Sequence, residues 1–319
     1  MTSTAPQVPV VPLGGSGISV SRMALGSWRT YERMSRDVGV AVLRAARDAG
    51  ITFLDDARYN DETGTAPIPT GYSEVVFGEL FRAAGWPRSQ AVVANKLWWE
   101  FWPDQSAAAE LDASLARMQF DYLDLVYSEV PPAGVPLEEA VGLIAGLVRA
   151  GTVRAWGTLN WPPELMERAW QAAERAGVPG PVATQPPYSL VRREVVEDPA
   201  MQELARSRPV AIVASYALAG GVLTGKYDQD PAAGRAAGSL DRPPVAAAAA
   251  AGRQLAGLAR ATGRDAAQLA MAFALLNPSV TAVLFGATSP WQVAANLGAL
   301  AVAADLTPGE REDLAAVGR

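Results

Sequence analysis

The chain has 319 residues, half of them apolar, and its 27 basic and 33 acidic side chains give a formal charge of −6. That length can bury a large core as one barrel-sized domain, and the interspersed charge favours neither nucleic acid nor an anionic membrane surface as partner. The absence of Cys and His removes disulfides, thiolate nucleophiles, the commonest metal ligand and the commonest general base, so chemistry must come from carboxylates, Lys, Tyr, hydroxyls or a bound cofactor.

The first segment, MTSTAPQVPVVP, has no cationic stretch leading into a long apolar one, and no later run approaches the ~18 apolar residues of a membrane span. The expected protein is cytoplasmic, without membrane insertion. VVPLGGSGISVSRM (10–23) sets a Gly-rich centre between short apolar arms, which predicts a hairpin closing the bottom of the fold. The first strand-like run is MALGSW (23–28). DVGVAVLRAARDAG (37–50) follows with helical spacing, placing Val38, Val42, Leu43 and Ala46 on one stripe and stopping at Gly50.

TFLDDA (52–57) is the next strand, and the irregular NDETGTAPIPTGYSE (60–74) comes after it. AVVANKL (91–97) leads into WWEFWP (98–103) and then a helix over AAAELDASLARMQ (107–119). LDLVYSE (123–129) precedes the helical LEEAVGLIAGLVRAG (137–151). VRAWGTLN (153–160), ATQPPYS (183–189) and AIVASYAL (211–218) follow, then the long connection GKYDQDPAAGRAAGSLDRPP (225–244). A helix over 245–263 and the strand TAVLFGA (281–287) complete the series. Eight strand-like runs, each with a helical segment behind it, predict parallel strands with crossover helices. The expected fold class is α/β, a (β/α)₈ TIM barrel with a short N-terminal β-hairpin, forming a single domain over 1–319. The three irregular connections all follow strand C-termini, the face where such barrels assemble their sites.

A barrel brings strand-end side chains together however far apart they are in sequence. That singles out Asp55, Asp56 and Tyr59; Asn95 and Lys96; Glu129; Thr158 and Asn160; Gln185; and Ser215 with Tyr216. A Lys beside a carboxylate and a phenol is a proton-transfer set, because Lys⁺ lowers the phenol's pKa while Asp holds the ammonium in place. A purely structural ion pair inside the barrel is the equal alternative.

These same segments carry a resemblance. PLGGSGISVSRMALGSW, GITFLDDARYND, GYSEVVFGELFRAAGW, VVANKLWW, DYLDLVYSEVPP, AWGTLNW, TQPPYSL, LAGGVLTGKY and VLFGATSPWQVAANLGAL, in this order, resemble segments of the aldo-keto reductases, in particular the branch of the potassium-channel β subunits. The resemblance implies the same barrel and NADPH-dependent reduction by an Asp, Tyr, Lys and His set. It carries Asp55 and Lys96 over directly. The family Tyr falls one position later, where this chain has Asn60, so Tyr59 is the preferred acid and Tyr72, in the nearby loop, its substitute. Glu129 stands where the family has His, a replacement shared with members resembling steroid 5β-reductase, which reduce an activated C=C bond. Placed near Asp55, its carboxyl would be costly to ionise and could donate a hydrogen bond to a substrate carbonyl; a partly solvated carboxylate paired to Lys96 is the alternative.

The resemblance also implies cofactor contacts. Asn160 and Gln185 match residues that hold the nicotinamide carboxamide, with Leu218 and Gly221 near the pyrophosphate and Lys226 and Arg235 supplying charge. Gly286, Thr288, Gln292 and Asn296 match the adenosine-phosphate segment, where a helix N-terminus offers backbone donors; a capped helix, with Thr288 or Ser289 as cap and Pro290 after it, explains the same residues. Ser215 takes the place of the aromatic that stacks on nicotinamide, with Tyr216 adjacent, and Gln292 replaces an Arg, so NADPH is expected with NADH as the alternative. For a small, apolar substrate the pocket residues are Trp28, Tyr72, Trp98 and Trp99. The WWEFWP loop is also readable as a cover over the next helix or a subunit contact of a homo-oligomer. The leading expectation is reduction of a carbonyl or enone C=C bond. The alternatives are an NADP(H)-binding regulatory subunit without turnover, and a non-redox isomerase, lyase or cyclase on the same barrel.

Overall fold

A computed structural model describes residues 8–229 and 242–319; Arg235 and most of the long connection read over 225–244 lie outside them. The chain opens with an antiparallel hairpin, β1 (Val10–Pro12) and β2 (Ser19–Ser21), in register Val10 to Ser21. Eight further strands are β3 (Met23–Gly26), β4 (Phe53–Asp55), β5 (Val92–Leu97), β6 (Leu123–Ser128), β7 (Val153–Leu159), β8 (Ala183–Gln185), β9 (Ala211–Ala214) and β10 (Val280–Phe285). They close into one parallel barrel, with β10 pairing both β9 and β3. All eight begin within one residue of the runs read from the sequence, and several end sooner: β8 stops at Gln185 and β9 at Ala214, four residues short of their runs.

The helices are α1 (Arg36–Asp48), α2 (Tyr72–Ala83), α3 (Ala107–Met118), α4 (Leu137–Ala150), α5 (Pro163–Ala176), α6 (Pro199–Ser207), the single turn α7 (Lys226–Gln229), α8 (Pro243–Thr262), α9 (Ala266–Leu276), α10 (Pro290–Asp305) and α11 (Pro308–Ala316). Among the described residues, no helix is long and apolar enough to cross a membrane.

Strands covered on both faces must be apolar on both, which is why they read as short continuous runs. Their two faces feed two cores. One fills the barrel interior with Ala24, Phe53, Ala94, Leu125, Tyr127 and Val213, and the hairpin's Leu13, Ile18 and Val20 join it from below. The other lies between strands and helices. Gly14, in the left-handed region at φ 52, lets the hairpin approach the main chain at Val182 and Pro209, where a Cβ would meet carbonyl oxygens at 2.2 and 2.3 Å. The bottom of the barrel is thereby stoppered.

One helical face differs from expectation. Val38 is 38 % exposed, and Gly39 takes the inward position on α1 instead. A Cβ at Gly39 would meet Leu80 at 2.6 Å, so α1 and α2 pack through a gap that a valine cannot occupy.

Candidate active site

Alternation along the strands decides which polar residues face the barrel axis. On β4 and β5, Asp55 and Lys96 turn inward and form an ion pair, with side chains only 3 % and 2 % exposed. Their neighbours turn the other way: Asp56 accepts from Ser27 Oγ, and Asn95 Nδ2 donates to Glu74 Oε1 at 2.8 Å. Gln185, closing β8, donates from Nε2 to Asp55 Oδ1 at 3.1 Å, and the Lys96 ammonium lies 4.8 Å from the Tyr127 ring centre. Buried charge survives only when paired and hydrogen-bonded, and this pair is both.

The pair forms the floor of a cavity of about 1340 Å³ at the C-terminal ends of the strands. Tyr59 lines it with Trp98, whose ring meets the phenol edge-on at 6.4 Å. The phenol's pKa is not lowered. Burial pushes it well above its ordinary value, and the negative charges of Asp55 and Asp56 push it further, so Tyr59 holds its proton at neutral pH.

Three candidate residues lie elsewhere. Tyr72 starts α2, where its hydroxyl accepts from Arg36 Nη2 at 3.1 Å, and it does not line the cavity. Trp99 is 3 % exposed and folded inward: its indole donates to Ser128 Oγ at 2.9 Å and meets Trp102 edge-on at 5.5 Å. The cause is a turn with Trp99 at φ 61, gripped by the buried Glu110 carboxylate, which accepts from the Trp98 and Trp99 amides at 2.7 and 3.1 Å. That turn sends Trp98 to the cavity and Trp99 to the core. Glu129, just past β6, donates its amide to Leu97 O at 2.9 Å, but its half-buried side chain is not among the residues lining the cavity and makes no ion pair with Lys96. Its pKa is raised, as expected, but the cause is burial and not Asp55.

The remaining described candidates line the same cavity. Trp28, two residues past β3, lines it with its ring centre 6.2 Å from that of Tyr216. Asn160 and Gln185 both line the cavity, with the Gln185 amide at the floor on Asp55, while Ser215 donates its hydroxyl to Pro186 O at 3.1 Å. Beyond β9, Leu218 leads into a 3₁₀ segment, Ala219–Thr224, in which Gly220 and Gly221 have φ of 68 and 92. A Cβ on Gly221 would come within 3.0 Å of the Lys226 ammonium, so the glycines leave bare backbone beside a cation. At the far end are Gly286, Thr288, Gln292 and Asn296. Ser289 caps α10 by accepting from the Gln292 amide at 3.2 Å, with Pro290 next, as the capping reading expected. The Gln292 side chain turns back to accept from the Thr288 amide at 2.7 Å.

Sequence reasoning passed over several wall residues, among them Arg29, Arg33, Arg192, Glu194, Asp265 and Trp291. Arg29 directly follows Trp28, and that adjacency was the available signal. Arg33 comes from the 3₁₀ turn Tyr31–Arg33 and Trp291 from the first turn of α10, while Arg192, Glu194 and Asp265 reach the cavity from connections whose path only the fold sets. Among the described residues no cluster of carboxylates could hold a metal. The donor set does fit a nicotinamide dinucleotide: side-chain amides of Gln185 and Asn160 in the lining, a glycine backbone beside a cation, and a helix N-terminus with Gln292 and Asn296.

The family model described as "Aldo/keto reductase family" matches residues 22–317. A probable voltage-gated potassium channel subunit beta of Oryza sativa subsp. japonica is 33 % identical over 320 residues, covering 96 % of this chain and 95 % of that protein. Its counterpart in Arabidopsis thaliana is 31 % identical, covering 93 % and 92 %. A putative one in Schizosaccharomyces pombe is 31 % identical, covering 94 % and 90 %.

Proposed function

The chain belongs to the aldo/keto reductase family, and from that premise we propose that it uses NADPH to reduce the carbonyl group of a small molecule, with Tyr59 as proton donor and Asp55 and Lys96 as its support. The observation that carries this reading is the sealed Asp55–Lys96 pair beneath a cavity that Tyr59 also lines.

NADPH, when bound, supplies the hydride; the protein's part is to hold it and to manage one proton. Asn160 and Gln185 would bind the carboxamide, and Gln185 also fixes Asp55. Gly221 and Lys226 would take the diphosphate, and the α10 terminus with Gln292 and Asn296 the adenosine phosphate. Asp55 anchors the Lys96 ammonium, which biases the site toward a developing alkoxide. Tyr59, kept protonated by burial and nearby negative charge, delivers a proton to the carbonyl oxygen. The raised phenol pKa keeps Tyr59 in the protonated form from which carbonyl reduction starts. An enone reading asks for a carboxyl in the cavity, and Glu129 does not line it, so carbonyl reduction has the stronger support.

The test is NADPH consumption against an aldehyde and ketone panel with alcohol quantified as product. One NADPH per alcohol, lost in Tyr59→Phe, is the expected result. The names of the relatives favour a second reading, a nucleotide-binding subunit that regulates a membrane partner. Tight NADPH binding with no turnover across the panel would select it.

A further inference from the structure

We propose that Arg29 and Arg33 form an oxyanion fork at the cavity mouth, and that the substrate is a carbonyl compound bearing a carboxylate or phosphate that replaces Glu62 on that fork. The proposal rests on the carbonyl-reducing reading above and names its substrate class. Both arginines line the cavity that holds Asp55 and Tyr59. Arg29 leaves β3 at φ 55 with its guanidinium 4.8 Å from the Trp28 ring centre, and Arg33 ends the single 3₁₀ turn Tyr31–Arg33. The two converge on one atom, Glu62 Oε2, which pairs with Arg29 Nε and lies 3.6 Å from Arg33 Nη2. Arg33 also lies 3.8 Å from Glu32.

Two guanidinium groups aimed at one carboxylate oxygen are an arrangement suited to planar oxyanions and phosphates. Glu62 belongs to the loop closed by the Asn60–Thr70 bridge, so the chain itself occupies the fork. Exposure decides whether that occupant can leave. The side chains of Arg29, Arg33 and Glu62 are 32, 37 and 41 % exposed, although the Arg29 Nε that meets Glu62 is itself buried, and ion pairs between side chains this open contribute little net stability. The Asp55–Lys96 pair, sealed below, has no such freedom. A substrate anion also held by its apolar body against Trp28 and Trp98 therefore exchanges with Glu62 at little loss.

The test compares kcat/KM within two matched pairs, benzaldehyde against carboxybenzaldehyde and glyceraldehyde against its phosphate. The expected result is a preference of about tenfold for the anionic member of at least one pair, and the pair that shows it identifies the oxyanion. Arg29→Gln and Arg33→Gln should shrink that ratio, Arg33→Lys should restore part of it, and Glu62→Gln should lower KM for the anionic member. A ratio near one in both pairs, or one that neither arginine variant moves, overturns the proposal. If no aldehyde consumes NADPH, the redox reading fails and calorimetry still judges the fork. Benzoate or inorganic phosphate binding more tightly than benzamide, with the difference lost in Arg33→Gln, supports it; no such difference refutes it.

Discussion

The two ends of the barrel each bury a carboxylate on a strand, and they use it differently. At the closed end Asp124, near the start of β6, is 1 % exposed and both its oxygens are spoken for: Oδ1 accepts from Arg154 at 2.7 Å, while Oδ2 accepts from Arg88 at 2.7 Å and the Val93 amide at 2.9 Å. At the open end the Asp55 carboxylate pairs with Lys96 and accepts from Gln185, and all three residues line the large cavity. Burial of charge alone does not mark a site. The distinguishing feature is a buried charge pair that itself lines a cavity large enough for a ligand.

This contrast breaks most sharply on the proton donor. Tyr59→Phe should lower kcat by about 10²–10⁴-fold, the range of general-acid contributions, with NADPH affinity from fluorescence titration retained. A comparable loss of affinity would make Tyr59 a packing residue like those below. At the closed end, Asp124→Asn should weaken the hydrogen bonds to two partly exposed arginines and cost about 1–3 kcal/mol of stability in urea unfolding, while the folded fraction keeps its kcat/KM. Loss of activity without loss of stability would erase the distinction between the ends.

Nucleotide linkage sharpens it further. NADPH at one hundred times its Kd should stabilise the protein by about 2.7 kcal/mol, read as a rise in Tm, and Gly221→Val should abolish the rise because the added side chain meets Lys226. The smallest effect belongs to Glu129. Its folded pKa is raised by burial, so in the pH range between its unfolded and folded values the native state binds the proton more tightly. Its favourable contribution is complete below the unfolded pKa and lost as pH rises through the folded one. Glu129→Gln should flatten stability against pH just above the usual glutamate range, and should alter turnover far less than Tyr59→Phe.

Much of this was legible because strands buried on both faces leave continuous runs in the sequence, and the strand-end residues Asp55, Lys96 and Gln185 follow directly from strand position. What strand position does not carry is side-chain direction. Trp98 and Trp99 are chemically identical neighbours, and only the distant Glu110 carboxylate decides which faces the cavity. Glu129 occupies the anticipated backbone position, but it lies one residue past β6 and its side chain is outside the cavity lining. Val38 and Gly39 show the same limit on a helix: periodicity gave the stripe, but the close approach of Leu80 set its edge. Arg29 and Arg33 were missed because they follow the strand rather than end it.

The stopper at the base of the barrel bears on traffic. With Leu13, Ile18 and Val20 packed into the lower opening, a cofactor and a substrate bound as proposed would share the cavity at the upper end. Whichever lies deeper has to arrive first and depart last, so the architecture itself imposes a queue, and the exit of the inner guest becomes a natural place for the cycle to wait.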